Sequence, residues 1–375
     1  MSVPGADRLV ARTERLASSL TARDVDALLV DSLFDVGYLT GFTGSSGAAL
    51  VLGPSATAEL GAHRFVTDSR YATQSGEQVP DAFEREIVNG DLLERVAEVL
   101  GSSRGGRLGF DEAHVTVKAH ARLAKLLGEQ WELVGCAGAV AELRAVKEPA
   151  EIALIRAACE LADEALAQIL EGGLVGRSER DVAIELELRM RRLGAEAPSF
   201  PSIVAAGPHG ALPHAEPREE AIARDVLVTI DWGALLDGYC SDCTRTYATG
   251  EGISERAREV YALVLDAQEA GLGAVRAGRS GREIDAVARE VIERAGDGEH
   301  FGHGLGHGVG MEVHEAPRLS RTASEDPLVA GNVVSVEPGV YLPGELGVRI
   351  EDLVVVGDSA QDVLTSRSKA LTVVS

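Results

Sequence analysis

The sequence predicts an α+β chain in two parts: a smaller N-terminal α/β domain, residues 1–138, and a larger domain, residues 139–375, assembled from two duplicated halves. Three observations lead to that architecture. At 375 residues the chain exceeds what a single hydrophobic core usually organises. Helical and strand-like pieces alternate through its first third. Beyond residue 149 the same helix–helix–strand order occurs twice at a nearly constant spacing, as an internal repeat would.

In the first part, ADRLVARTERLASSLTARD has helical periodicity and VDALLV reads as a strand, followed by DVGYLTGFTGSSGAALVLG. DLLERVAEVLG and VTVKAHARLAKLLGEQ are helical again. The texture changes at AGAVAELRAVKEPAE, where a long helix begins. Pro149 suits the first turn of that helix, and Glu148 and Glu151 suit its positive end. Amphipathic helices are expected over 149–171 and 178–194, with strands through Tyr247. The second half is expected to place helices at 253–277 and 280–295, with strands to Val356, and two such halves would enclose a cleft.

Composition narrows the function. A formal net charge of −23 excludes nucleic acid and anionic membrane as expected partners, because phosphate recognition needs clustered Lys and Arg. The start MSVPGADRLVAR lacks the apolar core of a signal peptide, and no apolar run is long enough to span a bilayer. A soluble cytoplasmic protein is the expectation. Cys240 and Cys243 form a Cys-x-x-Cys, but GYCSDCTRTYAT alternates like a strand and would turn the two sulfurs to opposite faces. Ordinary packing is the expected role of both.

The acids carry the chemistry. VLVTIDWGALLDGYCSDCTRTYAT reads as a hairpin turning at Asp237-Gly238, a pair favoured in tight two-residue loops. That turn sets Gly233 opposite Asp242, so Asp231 and Asp242 share a face as a diagonal pair. VVSVEPGVYLPGELGVRIEDLVVV, symmetric about Gly344, sets Glu337 opposite Glu351. Any one acid on a strand could point to solvent. Four with apolar flanks on two hairpins indicate a shared metal centre, because buried like charges repel unless a cation lies between them.

FGHGLGHGVGMEVHE supplies imidazoles. Its glycines disfavour helix. As an extended segment it places His303, Leu305, His307, Val309 and Met311 on one face and only glycine on the other, where another backbone can approach. One imidazole and four carboxylates make a ligand set for two divalent ions, suited to Mn²⁺ or Co²⁺ with Zn²⁺ as a further option, and the chemistry implied is hydrolysis.

PSIVAAGPHGALPHAEP, VTIDWGALLDGYCSDCTRT, GHGLGHGVGMEVHEAPRLS, VVSVEPGVY and GVRIEDLVVV occur in an order that resembles the pita-bread (creatinase/aminopeptidase-like) metallopeptidases, and among them the proline-specific branch of prolidase and aminopeptidase P. The resemblance implies Asp231, Asp242, His307, Glu337 and Glu351 as metal ligands, with Asp242 and Glu351 bridging. It further implies Glu337 as general base, and His214, His303 and His314 as catalytic and substrate-binding imidazoles. Arg349 matches an arginine that supports the site, and Arg318 one that holds the free carboxylate of a C-terminal proline.

The activity so implied is hydrolysis of the Xaa-Pro imide bond of dipeptides by a metal-bridged hydroxide, with two divalent ions per chain, Mn²⁺ foremost. The alternative is aminopeptidase P acting on longer proline-containing peptides; a remoter one is a metal-free relative serving as a binding module. The resemblance also implies a homodimer, with substrate access and dimerisation assigned to the N-terminal domain and its loop YLTGFTGSSGA. One departure is His209, where many relatives carry Asn, and it is expected in the pocket wall.

Overall fold

A computed structural model describes residues 5–375, which divide into two compact units meeting in sequence between Arg144 and Ala145. The N-terminal unit is a mixed sheet of β1 (Ala27–Val30), β2 (Gly47–Leu52), β3 (His63–Asp68), β4 (Phe83–Val88), β5 (Gly106–Phe110) and β6 (Trp131–Gly135). Their order across the sheet is β4-β3-β2-β1-β5-β6. The two central strands, ALLV and GAALVL, are buried at every residue, which is why they read as unbroken apolar runs rather than as alternation. Helices Leu92–Gly101 and Val117–Leu127 start at Asp91 and Thr116, whose side chains accept backbone N–H groups of Leu93 at 2.9 Å and Ala119 at 3.1 Å. Their apolar faces pack with Leu29, Leu50, Val66 and Trp131 in one core.

The C-terminal unit repeats one plan. Helices Pro149–Glu171 and Glu179–Leu193 precede strands Ile203–Ala206, Leu227–Trp232 and Cys243–Ala248; helices Glu255–Ala274 and Gly281–Arg294 precede Gly306–Gly308, Glu315–Leu319, Val333–Val336 and Asp352–Val355. Pro149 opens the first helix, and the Glu151 side chain accepts the Glu148 N–H at 2.9 Å. Ser280 and Glu283 form a reciprocal capping box on the last helix. Each half has its own core, one around Leu166, Leu186, Ile230 and Trp232, the other around Val264, Ile284, Val334 and Val354. No helix among the described residues is long and apolar enough to cross a membrane.

Turn chemistry sets both hairpins. Asp237 and Gly238 have φ of 49° and 78°, the left-handed pair of a tight hairpin turn, and the strands run in register from Leu236↔Tyr239 to Asp231↔Thr244. In the second hairpin Gly344 has φ of 79°, and Gly339↔Arg349 continues into Val336↔Asp352, so Glu337 and Glu351 fall at matching positions. The halves join where Glu351 N–H donates to Thr244 O at 3.1 Å and Thr246 Oγ1 donates to Arg349 O at 2.9 Å. The acids of both hairpins therefore converge at this seam.

Candidate metal centre

Asp231 comes from strand Leu227–Trp232, Asp242 from the break before Cys243–Ala248, and Glu351 from the break before Asp352–Val355. One carboxylate oxygen from each of the three lies within 4.8 Å of the others. Burial, then repulsion from Glu351, Asp231 and Glu337, pushes the Asp242 carboxyl well above the ordinary range. Burial and the neighbouring Glu337 and Asp231 do the same to Glu351. Asp231 is raised too, chiefly by burial, with Arg349 opposing. Asp231 Oδ1 and Glu351 Oε1 are buried and have no hydrogen-bond partner. Orphaned buried oxygens on mutually repelling acids fit a divalent cation, which would satisfy the lone pairs and the charge together.

His307 and Glu337 stand beside this cluster. His307 Nε2 lies 3.2 Å from Glu337 Oε1 and 3.6 Å from Asp242 Oδ2. Its Nδ1 faces Gly308 O at 3.1 Å, so Nδ1 carries a proton and donates it in a hydrogen bond to that carbonyl, leaving Nε2 to address the acids. Burial alone would depress the His307 imidazole, but the hydrogen bond to Glu337 and its charge raise it. For Glu337 burial acts upward; His307, then His303 and Arg349, outweigh it and bring the pKa to about 2. Ser335 secures the pair, donating from Oγ to Glu337 Oε1 at 3.0 Å and accepting the His307 N–H at 3.0 Å.

The glycines do the packing that the sequence implies, over a short stretch. Only Gly306–Gly308 pairs as a strand, with a register shift between His307 and Gly308. A Cβ on Gly306 would lie 2.0 Å from Ser335 O, and one on Gly308 2.2 Å from Ala316 O. His300 lies outside the site and contacts Asp297 at 3.2 Å.

Arg349 ties the surroundings together. It donates to Asp231 Oδ2 at 2.7 Å, Thr244 Oγ1 at 3.0 Å, Tyr341 Oη at 2.8 Å and Pro213 O at 3.2 Å. Thr244 passes its own proton to Glu351 Oε2 at 2.8 Å. Tyr341 Oη also meets His303 Nε2 at 2.9 Å, and His303 Nδ1 meets Gly304 O at 2.8 Å. With Nδ1 donating to the carbonyl, Nε2 accepts from Tyr341. Burial lowers the His303 pKa, which keeps that ring neutral.

His214, His314 and Arg318 are exposed. The His314 ring centroid is 4.2 Å from that of His307, and Arg318 pairs in register with His307 across adjacent strands. Among the described residues Arg318 has no ion-pair partner. His209 is held from behind: its Nδ1 contacts the buried Glu179 carboxylate at 2.8 Å. Cys240 and Cys243 are free thiols in separate hydrophobic clusters, the outcome that strand alternation predicts. Thr244, Ser335 and Tyr341 were not singled out by the sequence. Thr244 shares strand parity with Asp242, and Ser335 and Tyr341 share it with Glu337, the one signal that could have marked them.

Residues 153–358 match the model of metallopeptidase family M24, and residues 12–146 match the creatinase/prolidase N-terminal domain. The chain belongs to metallopeptidase family M24. This M24 peptidase is 40% identical over 362 residues to the uncharacterized peptidase YqhT of Bacillus subtilis, covering 96% of this chain and 99% of that one. It superposes on a Xaa-Pro dipeptidase from Bacillus anthracis with a TM-score of 0.91 at 37% identity, over 97% of this chain and 99% of the other. An X-Pro aminopeptidase from Thermotoga maritima gives a TM-score of 0.86 at 34% identity, over 97% and 100%. The M24 peptidase thus has the pita-bread fold with a creatinase-type N-terminal domain, and its family implies divalent metal ions.

Proposed function

We propose that this M24 peptidase hydrolyses the Xaa-Pro imide bond of dipeptides, with Asp231, Asp242, His307, Glu337 and Glu351 holding two divalent ions. The carrying observation is the buried carboxylate cluster with its orphaned oxygens. The oxygen-rich donor set favours Mn²⁺, with Co²⁺ and Zn²⁺ as competitors. Bound there, divalent ions supply Lewis acidity that activates water and polarises a carbonyl at neutral pH.

The chain's own groups do the rest. Glu337, ionised and at the edge of the cluster, takes the proton of the attacking water. His303 and His314 are assigned to the side of the departing nitrogen, where the exposed His314 imidazole relays to that nitrogen the proton Glu337 took from water, and the neutral His303 ring, held by Tyr341, positions the substrate. Proline nitrogen carries no N–H in the imide, so a site that works on the carbonyl side suits it. Arg318, exposed and in register with His307, holds the free carboxylate of a C-terminal proline, and His214 is a further substrate contact. The N-terminal unit is assigned to substrate access and to a homodimer, through residues 38–48.

The likeness to an X-Pro aminopeptidase favours a second reading, removal of the residue before proline from longer peptides. Comparing kcat/KM on Ala-Pro and Ala-Pro-Ala with Mn²⁺ separates the two. Preferred cleavage of Ala-Pro is expected; negligible Ala-Pro cleavage beside efficient Ala-Pro-Ala cleavage would transfer the assignment to the aminopeptidase.

A further inference from the structure

Glu179 is the first residue of helix Glu179–Leu193, and its side chain is 1% exposed. A carboxylate so deeply placed at a helix start ordinarily has one task, favourable contact with the helix N-terminus. Here it has several partners, all from one loop. Oε1 accepts the Ala206 N–H at 2.8 Å; Oε2 faces His209 Nδ1 at 2.8 Å and accepts the Arg218 backbone N–H at 3.0 Å and its Nε at 3.3 Å. The helix adds a backbone bond of its own, Arg180 N to Arg218 O at 3.0 Å. Residues 206 and 218 are thereby drawn to one carboxylate, and the chain between them must close as a loop.

His214 sits in that loop. Just before it, Pro213 O is held by Arg349 at 3.2 Å. Further back, Gly210 packs so closely on Gly347 that a Cβ on the latter would lie 1.7 Å from Gly210 O. The imidazole is exposed, and it adds a small share to the lowering of the His314 pKa, behind burial and His307. Its own side chain makes no hydrogen bond among the described residues, so its position is set by the backbone on either side.

We infer that Glu179 is a positioning residue for substrate binding, clamping both ends of loop 206–218 and so setting where His214 stands against the substrate. The inference rests on the reading of His214 as a substrate contact. Glu179 touches neither the carboxylate cluster nor the histidines beside it, so loosening the clamp leaves metal binding in place. His209 is the removable part of the clamp. Alanine deletes a donor to a buried carboxylate, whereas asparagine restores one N–H.

The test uses the full-length, Mn²⁺-loaded protein as wild type, H209A, H209N and E179Q. In H209A and E179Q, KM for Ala-Pro rises on the order of ten-fold while kcat changes little, the signature of lost uniform binding. Bound metal per chain stays at the wild-type level, and H209N returns KM toward wild type. A second readout needs no substrate: in histidine-labelled protein loaded with diamagnetic Zn²⁺ in place of Mn²⁺, the imidazole resonance of His214 shifts in H209A and returns in H209N. An unmoved His214 resonance in H209A, or an unchanged KM accompanied only by a lower melting temperature, overturns the inference. If wild type leaves Ala-Pro intact, the dipeptidase reading falls and the resonance decides the clamp by itself.

Discussion

Arg349 donates to Asp231 Oδ2 at 2.7 Å, and the other oxygen of Asp231 is buried with no protein partner. One guanidinium bond thus orients the carboxylate and leaves one lone-pair face for the site. The same guanidinium reaches Thr244, and through it Glu351. Two acids from different hairpins are aimed by one planar cation.

R349K tests that arrangement. Lysine retains the charge but presents a single ammonium, which cannot reproduce a fork serving Asp231, Thr244, Tyr341 and Pro213. Loss of an outer hydrogen-bond partner of a metal ligand typically costs about 10–100-fold in affinity or activity. Competition of the protein with a chelating dye for Mn²⁺ should show a fall of that order. Wild-type affinity in R349K would remove the orienting role.

Without a cation the acids repel. Asp242 is held well above the ordinary carboxyl range by burial and by Glu351, Asp231 and Glu337, so its ionised form is penalised in the folded state. D242N removes that penalty. In chelator, D242N is expected to melt above wild type, by about 2–4 °C for each kcal/mol relieved in a chain somewhat shorter than this. In excess Mn²⁺ the order reverses, because only wild type gains the full ligand linkage. Melting curves of both proteins in the two conditions check the reversal, and peptidase activity is expected to vanish in chelator. Equal ranking in both conditions would contradict a cation site here.

The convergence of acids was legible in the sequence because turn chemistry fixes strand register. Asp237-Gly238 demands left-handed φ at both positions, and once the turn is placed Asp231 and Asp242 have no freedom to fall on different faces. Gly344 does the same for Glu337 and Glu351. The supporting hydroxyls of Thr244, Ser335 and Tyr341 were not legible. Each looks like an ordinary strand residue, and their partners are known only once two halves far apart in sequence are joined. The partner of His209 was not legible for a similar reason: Glu179 belongs to a helix thirty residues earlier.

Glycines in the histidine stretch differ in what they permit. G306A places a methyl 2.0 Å from Ser335 O and G308A one 2.2 Å from Ala316 O, whereas a Cβ on Gly302 meets nothing within 4 Å. Backbone cannot yield as a side-chain tip can, so each of the first two substitutions should cost about 1–3 kcal/mol or more. Since Ser335 also anchors His307 and Glu337, weaker Mn²⁺ binding should accompany the lower stability of G306A. G302A is the control, expected to melt near wild type. Comparable losses in all three variants would show that glycine flexibility, and not close packing, is what matters.

His303 carries a pH signature. Burial depresses its pKa below 6.5; Glu337 pulls the other way, and Arg349 and Arg289 push it further down. The unfolded chain therefore takes up a proton at higher pH than the folded one. Stability associated with the neutral, buried ring is fully present above the unfolded pKa of about 6.5 and is lost as pH falls through the depressed folded value. Glutamine can still accept from the Tyr341 hydroxyl yet does not titrate. The melting-temperature advantage of wild type over H303Q should therefore shrink between pH 7.5 and pH 5, measured in chelator so that metal linkage does not contribute. His307 titrates in both proteins and cancels in the difference. A difference that stays constant across this range would mean that His303 is not held neutral by its surroundings, and that its contact with Tyr341 tolerates a charged ring.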